Sequence, residues 1–284
     1  MDLDQLLKRY SNGEIGINEI RREISIENIG YIGENIARLD VQREMRKGCP
    51  EVILALDKQY NDLYEIAIKT MEKTGLVLIS KAPEEIYTKL SAQLRLEGYM
   101  VETAARGTTI LVSTRLLTIN ESIPQVGIIC AGTSDIPIAE EARMMAKSMG
   151  CASNMYYDVG IAGMHRLLPA LKGIMEKNIE AVVVVAGMEG ALPSVISSLV
   201  DVPVIGVPTS VGYGMGSGGI GALTSMLQTC TFGLAVMNID NGIGAGAFAA
   251  LICKRMSPGN SKKANFLHTH AAGDTDQANL LKRL

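Results

Sequence analysis

The sequence has no tryptophan and only 4% aromatic residues among its 284, and its formal charge is −3. It therefore lacks the basic surface and the stacking platforms by which proteins hold nucleic acid, so no nucleic-acid partner is expected. Cysteines number five, Cys49, Cys130, Cys151, Cys230 and Cys253, an odd count without a C-x-x-C pair. That argues against a disulfide framework and against a zinc ribbon, and predicts free thiols. Although 47% of the residues are hydrophobic, no stretch of about 18 runs free of charge or clustered glycine. The start "MDLDQLLKRY" lacks a signal-peptide core. A soluble, cytoplasmic protein with no membrane partner is the expectation. His268 and His270 form an H-x-H, but two ligands do not close a metal site, so no structural metal is predicted.

What is present divides the chain by texture. Up to about residue 118 it is charged, and "DLDQLLKRYSNG", "NEIRREISIENIG" and "DLYEIAIKTMEKTG" carry apolar residues at three- and four-residue steps before stopping at glycine or Asn-Gly, as helices do. "LVLIS" (76–80) and "TTILVS" (108–113) read as short strands. Residues 1–118 are thus expected to form a small N-terminal α+β domain that by itself names no chemistry. From Gln125 compact apolar runs alternate with glycine-rich turns: "VGIICAG", "NMYYDVG", "AVVVVAG", "VPVIGVP" and "LAVMNID". Near-continuous apolarity marks strands buried on both faces of a parallel sheet. With "IPIAEEARMMAKSMG", "MHRLLPALKGIMEK" and "ALPSVISSLV" as helices between them, residues 119–256 read as one doubly wound α/β domain with a parallel sheet. The tail, 257–284, loses the rhythm and is expected to be mobile.

In such sheets ligands bind at the carboxyl ends of the strands. Five texts stand there: "AGTSD" (131–135), "YDVGIAGMHR" (157–166), "AGMEGALPS" (186–194), "PTSVGYGMGSGG" (208–219) and "NIDNGIGAG" (238–246). In the first, Gly132 permits close backbone approach, and Thr133, Ser134 and the opening amides of the next helix offer donors to a phosphate. The same "TSD" also satisfies a simple N-cap, and Asp135 cannot itself face a phosphate without a cation or a ribose hydroxyl to accept. Gly216, Gly218 and Gly221 match G-x-G-x-x-G with Asp240 downstream, the spacing of a dinucleotide fingerprint. In that fingerprint the first glycine directly follows the domain's first strand, whereas here the strand is the fourth and only one more follows. The match is a coincidence of glycine density, and these glycines make either a mobile flap beside the cleft or a permissive connection.

The runs "AGTSDIPIAEEA", "DVGIAGMHRLL", "VVAGMEGALPSVISSLVDVPVIGVPTSVGYG", "MLQTC" and "NIDNGIGAGAFAA" resemble, almost continuously from 126 to 252, the LarB family of pyridinium-3,5-biscarboxylic acid mononucleotide synthases. The resemblance extends weakly to "LDVQREMRKGCPEVI" (39–53) and does not cover the tail. It implies a flavodoxin-like second domain similar to aminoimidazole ribonucleotide carboxylase/mutase, assembled as a homo-octamer with active sites at subunit interfaces. The implied reaction is carboxylation of nicotinic acid adenine dinucleotide by CO2 at ring carbon 5, with phosphoanhydride hydrolysis releasing AMP. This opens the synthesis of the nickel-pincer nucleotide cofactor used in lactate racemase maturation, so downstream pathway enzymes are the implied partners. No cofactor is implied, and whether a divalent cation such as Mg2+ assists hydrolysis is left open. The absence of G-x-x-x-x-G-K-[ST] and of a biotin-type lysine motif fits free CO2 rather than ATP-activated bicarbonate.

The chemistry demands a group that adds electron density to an electron-poor ring, and a thiolate does so by covalent addition. The resemblance puts this nucleophile at Cys230. A helix C-terminus disfavours a thiolate, but a pyridinium charge about 4 Å away contributes roughly 4 kcal/mol at an effective dielectric of 20, more than the ~0.3–1 kcal/mol of an exposed helix end. The other four cysteines read as small buried hydrophobes. The family's base falls on Glu189, which as bare sequence is also a charge stabilised by a helix N-terminus. Asp158, His165 and Arg166 are candidates for carboxylate or phosphate binding, Arg166 equally for simple surface stacking. Gly187, Met188, Thr209, Ser210 and Tyr213 complete the substrate-binding candidates on the same loops. Asn238, Asp240 and Asn241 either grip a ribose or order the hydrolytic water, or build an Asx turn. Arg43, Arg46 and Lys58 are candidates to cover the adenylate end. Two other functions remain open: an aminoimidazole ribonucleotide carboxylase/mutase, which leaves Cys230 and the first 118 residues without a role, and a non-catalytic nucleotide sensor.

Overall fold

Among the described residues a four-stranded sheet, a five-stranded sheet and a two-stranded hairpin organise the chain. The structure, a computed structural model, describes residues 3–17, 19–20, 29–32, 37–40, 43–117, 119 and 124–257. The helix expected in "NEIRREISIENIG" lies mostly outside these residues, as do the tail beyond Ser257 and its two histidines.

The first part begins with α1 (Leu3–Ser11), a two-stranded antiparallel hairpin β1 (Ile29–Ile32) and β2 (Ala37–Asp40), and the short α2 (Arg43–Lys47). Then β3 (Val52–Leu54), β4 (Leu76–Ser80), β5 (Met100–Thr103) and β6 (Ile110–Ser113) form a mixed sheet in the order β3-β4-β6-β5. Two helices, α3 (Tyr60–Thr74) and α4 (Glu84–Leu96), contribute Leu63, Ile66, Met71, Leu90 and Leu94 to the core shared with Val77, Ile79, Ile110 and Val112. Helix α3 stops where Gly75 turns left-handed, φ 69°, and its N–H bonds the Met71 carbonyl.

The second part carries β7 (Gln125–Cys130), α5 (Ile136–Ser148), β8 (Ser153–Tyr156), α6 (Leu167–Glu176), β9 (Ile179–Ala186), α7 (Leu192–Ser197), β10 (Val204–Pro208), α8 (Ile220–Leu227), β11 (Leu234–Val236) and α9 (Gly242–Met256). All five strands pair in parallel in the order β11-β10-β9-β7-β8. This is the flavodoxin-like arrangement, with the strand order reversing between β7 and β9. Val182 to Val185 in β9 have no exposed surface, and each such side chain removed from water stabilises the fold by about 1.5–3 kcal/mol.

Helices α5 and α9 cover one face of this sheet, and α6, α7 and α8 the other. The opposite face of α5 meets the N-terminal sheet: Leu76, Leu78 and Leu111 share one core with Met144 and Met145. Polar ties seal the junction. Arg143 pairs with Glu102 and Glu140, Lys147 with Glu102, and the Ala105 N–H donates to Glu140 at 2.9 Å. Helix α9 was not expected from the sequence, whose "NGIGAG" reads as a loop. Its glycines are there because α5 runs against it: a Cβ on Gly246 would stand 2.3 Å from the Ala142 carbonyl oxygen, and one on Gly242 2.2 Å from that of Ile138.

Candidate active site

The loops after β7, β8 and β9 meet around a cleft of about 480 Å³ at the switch point of the sheet. Gly132, Thr133, Ser134, Asp135, Asp158, Arg166, Gly187, Met188 and Glu189 all line it. Asp135 builds its floor. Its carboxylate, almost wholly buried, accepts hydrogen bonds from the Gly132 N–H at 2.9 Å, the Thr209 hydroxyl at 2.7 Å and the Gly187 N–H. Burial outweighs these bonds and pushes the carboxyl above its ordinary value. Three loops are thereby tied to one side chain. Thr209 has no exposed surface, so it holds Asp135 rather than touching a ligand. Gly187 is required sterically, since a Cβ there would lie 2.3 Å from the Val211 carbonyl oxygen. Because Asp135 folds back on Gly132, the hydroxyl-bearing Thr133 and Ser134 stay exposed at the start of α5, where the helix dipole favours an anion.

Backbone strain collects on this rim. Asp158, Met188 and Asp240 follow β8, β9 and β11 with φ of 55°, 54° and 55°, left-handed conformations that cost a non-glycine residue roughly 1–2 kcal/mol each. Arg166, on the 3-10 turn Ile161–Arg166, pairs with Asp158 at 2.8 Å. His165 on the same turn is exposed and does not line the cleft. Tyr213 stands in solvent on the glycine-rich connection, which is a 3-10 turn over Gly214–Gly219 leading into α8.

A second cavity of about 520 Å³ lies beside the first, at the junction of the two parts, and shares Ser134 and Val211 with it. Ser210 and Asp240 line this one. The Ser210 N–H donates to Asp240 Oδ1 at 2.9 Å. Asn241 accepts from the Gly244 N–H and caps α9, and Asn238 accepts from the Ile239 N–H, so both side chains serve local turns. Arg43 and Arg46 pair with Glu51 and Asp40, and neither they nor Lys58 line either cavity. Lys81 lines this second cavity, and its amine donates to the Asp240 carbonyl oxygen at 2.8 Å. In the sequence the only signal for Lys81 is a lysine directly following the buried strand "LVLIS". Val211, Ile161 and Leu192 were passed over because apolar lining carries no chemical signature.

All five cysteines are free. Burial pushes the Cys130 and Cys253 thiols up, to about 11 and about 12, and raises Cys151 and Cys49 as well. Cys230 alone is exposed. Helix α8 ends three residues before it, at Leu227, rather than on it. It does not join Glu189 within one chain. The Gly233 carbonyl accepts from the N–H of Val204, the first residue of β10, and the Thr231 hydroxyl meets that of Ser197 at the end of α7. Cys230 therefore sits at the amino rim of the sheet. At about 3.3 Å per residue the strand separates it from the Glu189 rim by roughly 13–16 Å. Among the described residues no group of three or more His, Cys, Asp or Glu stands close enough to hold a metal ion.

The sequence has relatives among known proteins. Residues 125–271 match AIR carboxylase, and residues 29–113 match the LarB/PurE-like N-terminal domain. The chain belongs to the AIR carboxylase family. The match runs past residue 256, where the resemblance read from the sequence stopped. An uncharacterized protein of Methanocaldococcus jannaschii is 44% identical over 258 residues, 90% of this chain and 98% of that one. The N5-carboxyaminoimidazole ribonucleotide mutases of Thermotoga maritima and Pyrococcus horikoshii are 30% and 32% identical, over 46% and 45% of this chain and 75% and 72% of theirs. The combination of a LarB/PurE-like N-terminal domain with this parallel-sheet domain places the protein in the LarB/PurE-like carboxylase/mutase superfamily. Among the described residues no helix is long and apolar enough to cross a membrane.

Proposed function

We propose that the protein carboxylates the pyridinium ring of nicotinic acid adenine dinucleotide at carbon 5 and hydrolyses the phosphoanhydride to release AMP. The observation that carries this reading is the N-terminal domain. The mutase relatives align with less than half of the chain, whereas here a LarB/PurE-like domain closes a second cavity against the first. A mononucleotide substrate leaves that cavity without a role.

The Cys230 thiolate adds to a ring carbon, and its electron pair neutralises the ring nitrogen to leave a dihydropyridine. The enamine-like carbon 5 then forms a C–C bond with CO2. Glu189 takes the proton from carbon 5, the C–S bond breaks, and the thiolate leaves as aromaticity returns. In sum a ring C–H and CO2 become a ring carboxylate and a proton. Water attacks one phosphorus, the P–O–P bridge opens, and the mononucleotide and AMP separate. Thr133, Ser134 and the α5 amides hold the phosphate on the mononucleotide side, and Arg166 lies within the same cleft to pair with an anionic group.

Because Cys230 and Glu189 occupy opposite rims of one chain, the complete site takes its sulfur from a second copy. Near Cys230, Leu227 and Phe232 are 65% and 94% exposed, an apolar edge suited to burial against another chain. Incubation with the dinucleotide and bicarbonate, followed by mass spectrometry, tests the reading. Carboxylated mononucleotide plus AMP is the expected outcome. Unchanged dinucleotide together with turnover of carboxyaminoimidazole ribonucleotide would favour the mutase activity that the shorter relatives' names record.

A further inference from the structure

Lys81 directly follows β4 of the N-terminal sheet in the left-handed conformation, φ 57°, a setting that glycine or asparagine fills with less strain. Its side chain crosses the domain junction to the Asp240 carbonyl, on the strained loop after β11. An ammonium group has three N–H donors, and this bond uses one. Of the two carboxylates nearby, Glu141 accepts from the Ser80 hydroxyl at 2.8 Å through Oε1 while its buried Oε2 is unpartnered and feels the Lys81 charge, and Asp240 accepts from the Ser210 N–H, so neither hydrogen-bonds the Lys81 amine. Among the described residues Lys81 is the one cation lining the second cavity. That cavity, about 520 Å³, falls in the range of small-ligand sites, roughly 300–1,000 Å³. One wall is N-terminal, with Leu56, Pro83 and Thr108, and the other is the start of α5. The walls are close-packed, since a Cβ on Gly107 would lie 2.9 Å from that of Pro137. Ser134 and Val211 belong to both cavities, so the two lie side by side on one rim.

We propose that this junction cavity receives the nucleoside monophosphate half of the dinucleotide, with Lys81 donating to its phosphate. The inference rests on the dinucleotide reading above. It gives the N-terminal domain a role as the wall that selects a dinucleotide over a mononucleotide.

Calorimetric titration of the full chain with AMP, and separately with nicotinic acid mononucleotide, tests it. The unsubstituted protein should bind both. Lys81→Ala should weaken AMP binding on the order of tenfold and Lys81→Arg restore most of it, with mononucleotide binding unchanged. Leu56→Trp, at a position 54% exposed on the cavity wall, should block AMP without touching the first cleft, and serves if Lys81→Ala fails to fold. AMP binding that neither Lys81→Ala nor Leu56→Trp alters would overturn the inference. So would carboxylation of the dinucleotide by a protein that does not bind AMP, an outcome that leaves the proposed reaction standing. AMP held at Lys81 by a protein that leaves the dinucleotide intact would support the cavity assignment and reject the reaction.

Discussion

At the scale of single residues, the cleft depends on one buried carboxylate. Thr209→Val keeps the shape of the side chain but strips Asp135 of a donor, and an acceptor left unsatisfied in the interior costs about 1–3 kcal/mol. A lowered melting temperature and weaker substrate binding should appear together, because the same bond holds the loops after β7 and β10. Glu189→Gln, which loses only the ability to take a proton, should reduce carboxylation by roughly 10²–10⁴-fold while leaving the melting temperature near that of the unsubstituted protein. The roles of Gly187 and Asp135 were visible in the sequence only as a glycine and an acid near a strand end. Which way each faces is settled by burial and by contacts from loops distant in the chain.

Among elements, the central strands β7, β9 and β10 were legible because they are apolar on both faces, and the half-buried edge strands β8 and β11 because glycine and polar residues follow them. Helix α9 was hidden by its own packing requirement: Gly242 and Gly246 lie against α5, and small residues there imitate a loop. Gly246→Ala pushes a methyl group into the Ala142 backbone and should destabilise the fold by about 1–3 kcal/mol or more, measurable by denaturant titration. Helix α5 also carries the junction to the N-terminal sheet. Burial pushes Glu102 and Glu140 up, but ion pairs and hydrogen bonds from Lys147 and Arg143 on Glu102, and from Arg143, Tyr157 and Ala105 on Glu140, hold both below the usual 4.5. A depressed carboxyl stabilises the folded state above its unfolded value and loses that contribution as the pH falls through its folded value. Glu102→Gln should therefore lower the melting temperature at neutral pH and flatten its decline below pH 4.5.

The position of Cys230 is decided at the scale of the whole molecule. A residue between a helix and the next strand belongs to the amino rim by the alternation of the fold alone, so its separation from Glu189 was already written in the order of elements. On the proposed reaction, a second copy of the chain closes the gap. Two variants of the same chain test this directly: Cys230→Ala and Glu189→Gln, each purified alone and then co-expressed with distinct tags and isolated as mixed assemblies. Each variant alone should fail to carboxylate the dinucleotide. The mixed assemblies should regain activity, with about one site in four intact if the two chains mix at random and each site draws its sulfur and its carboxylate from different copies. Mixed assemblies as inactive as the separate variants, or a Cys230→Ala protein that carboxylates unaided, would contradict the account.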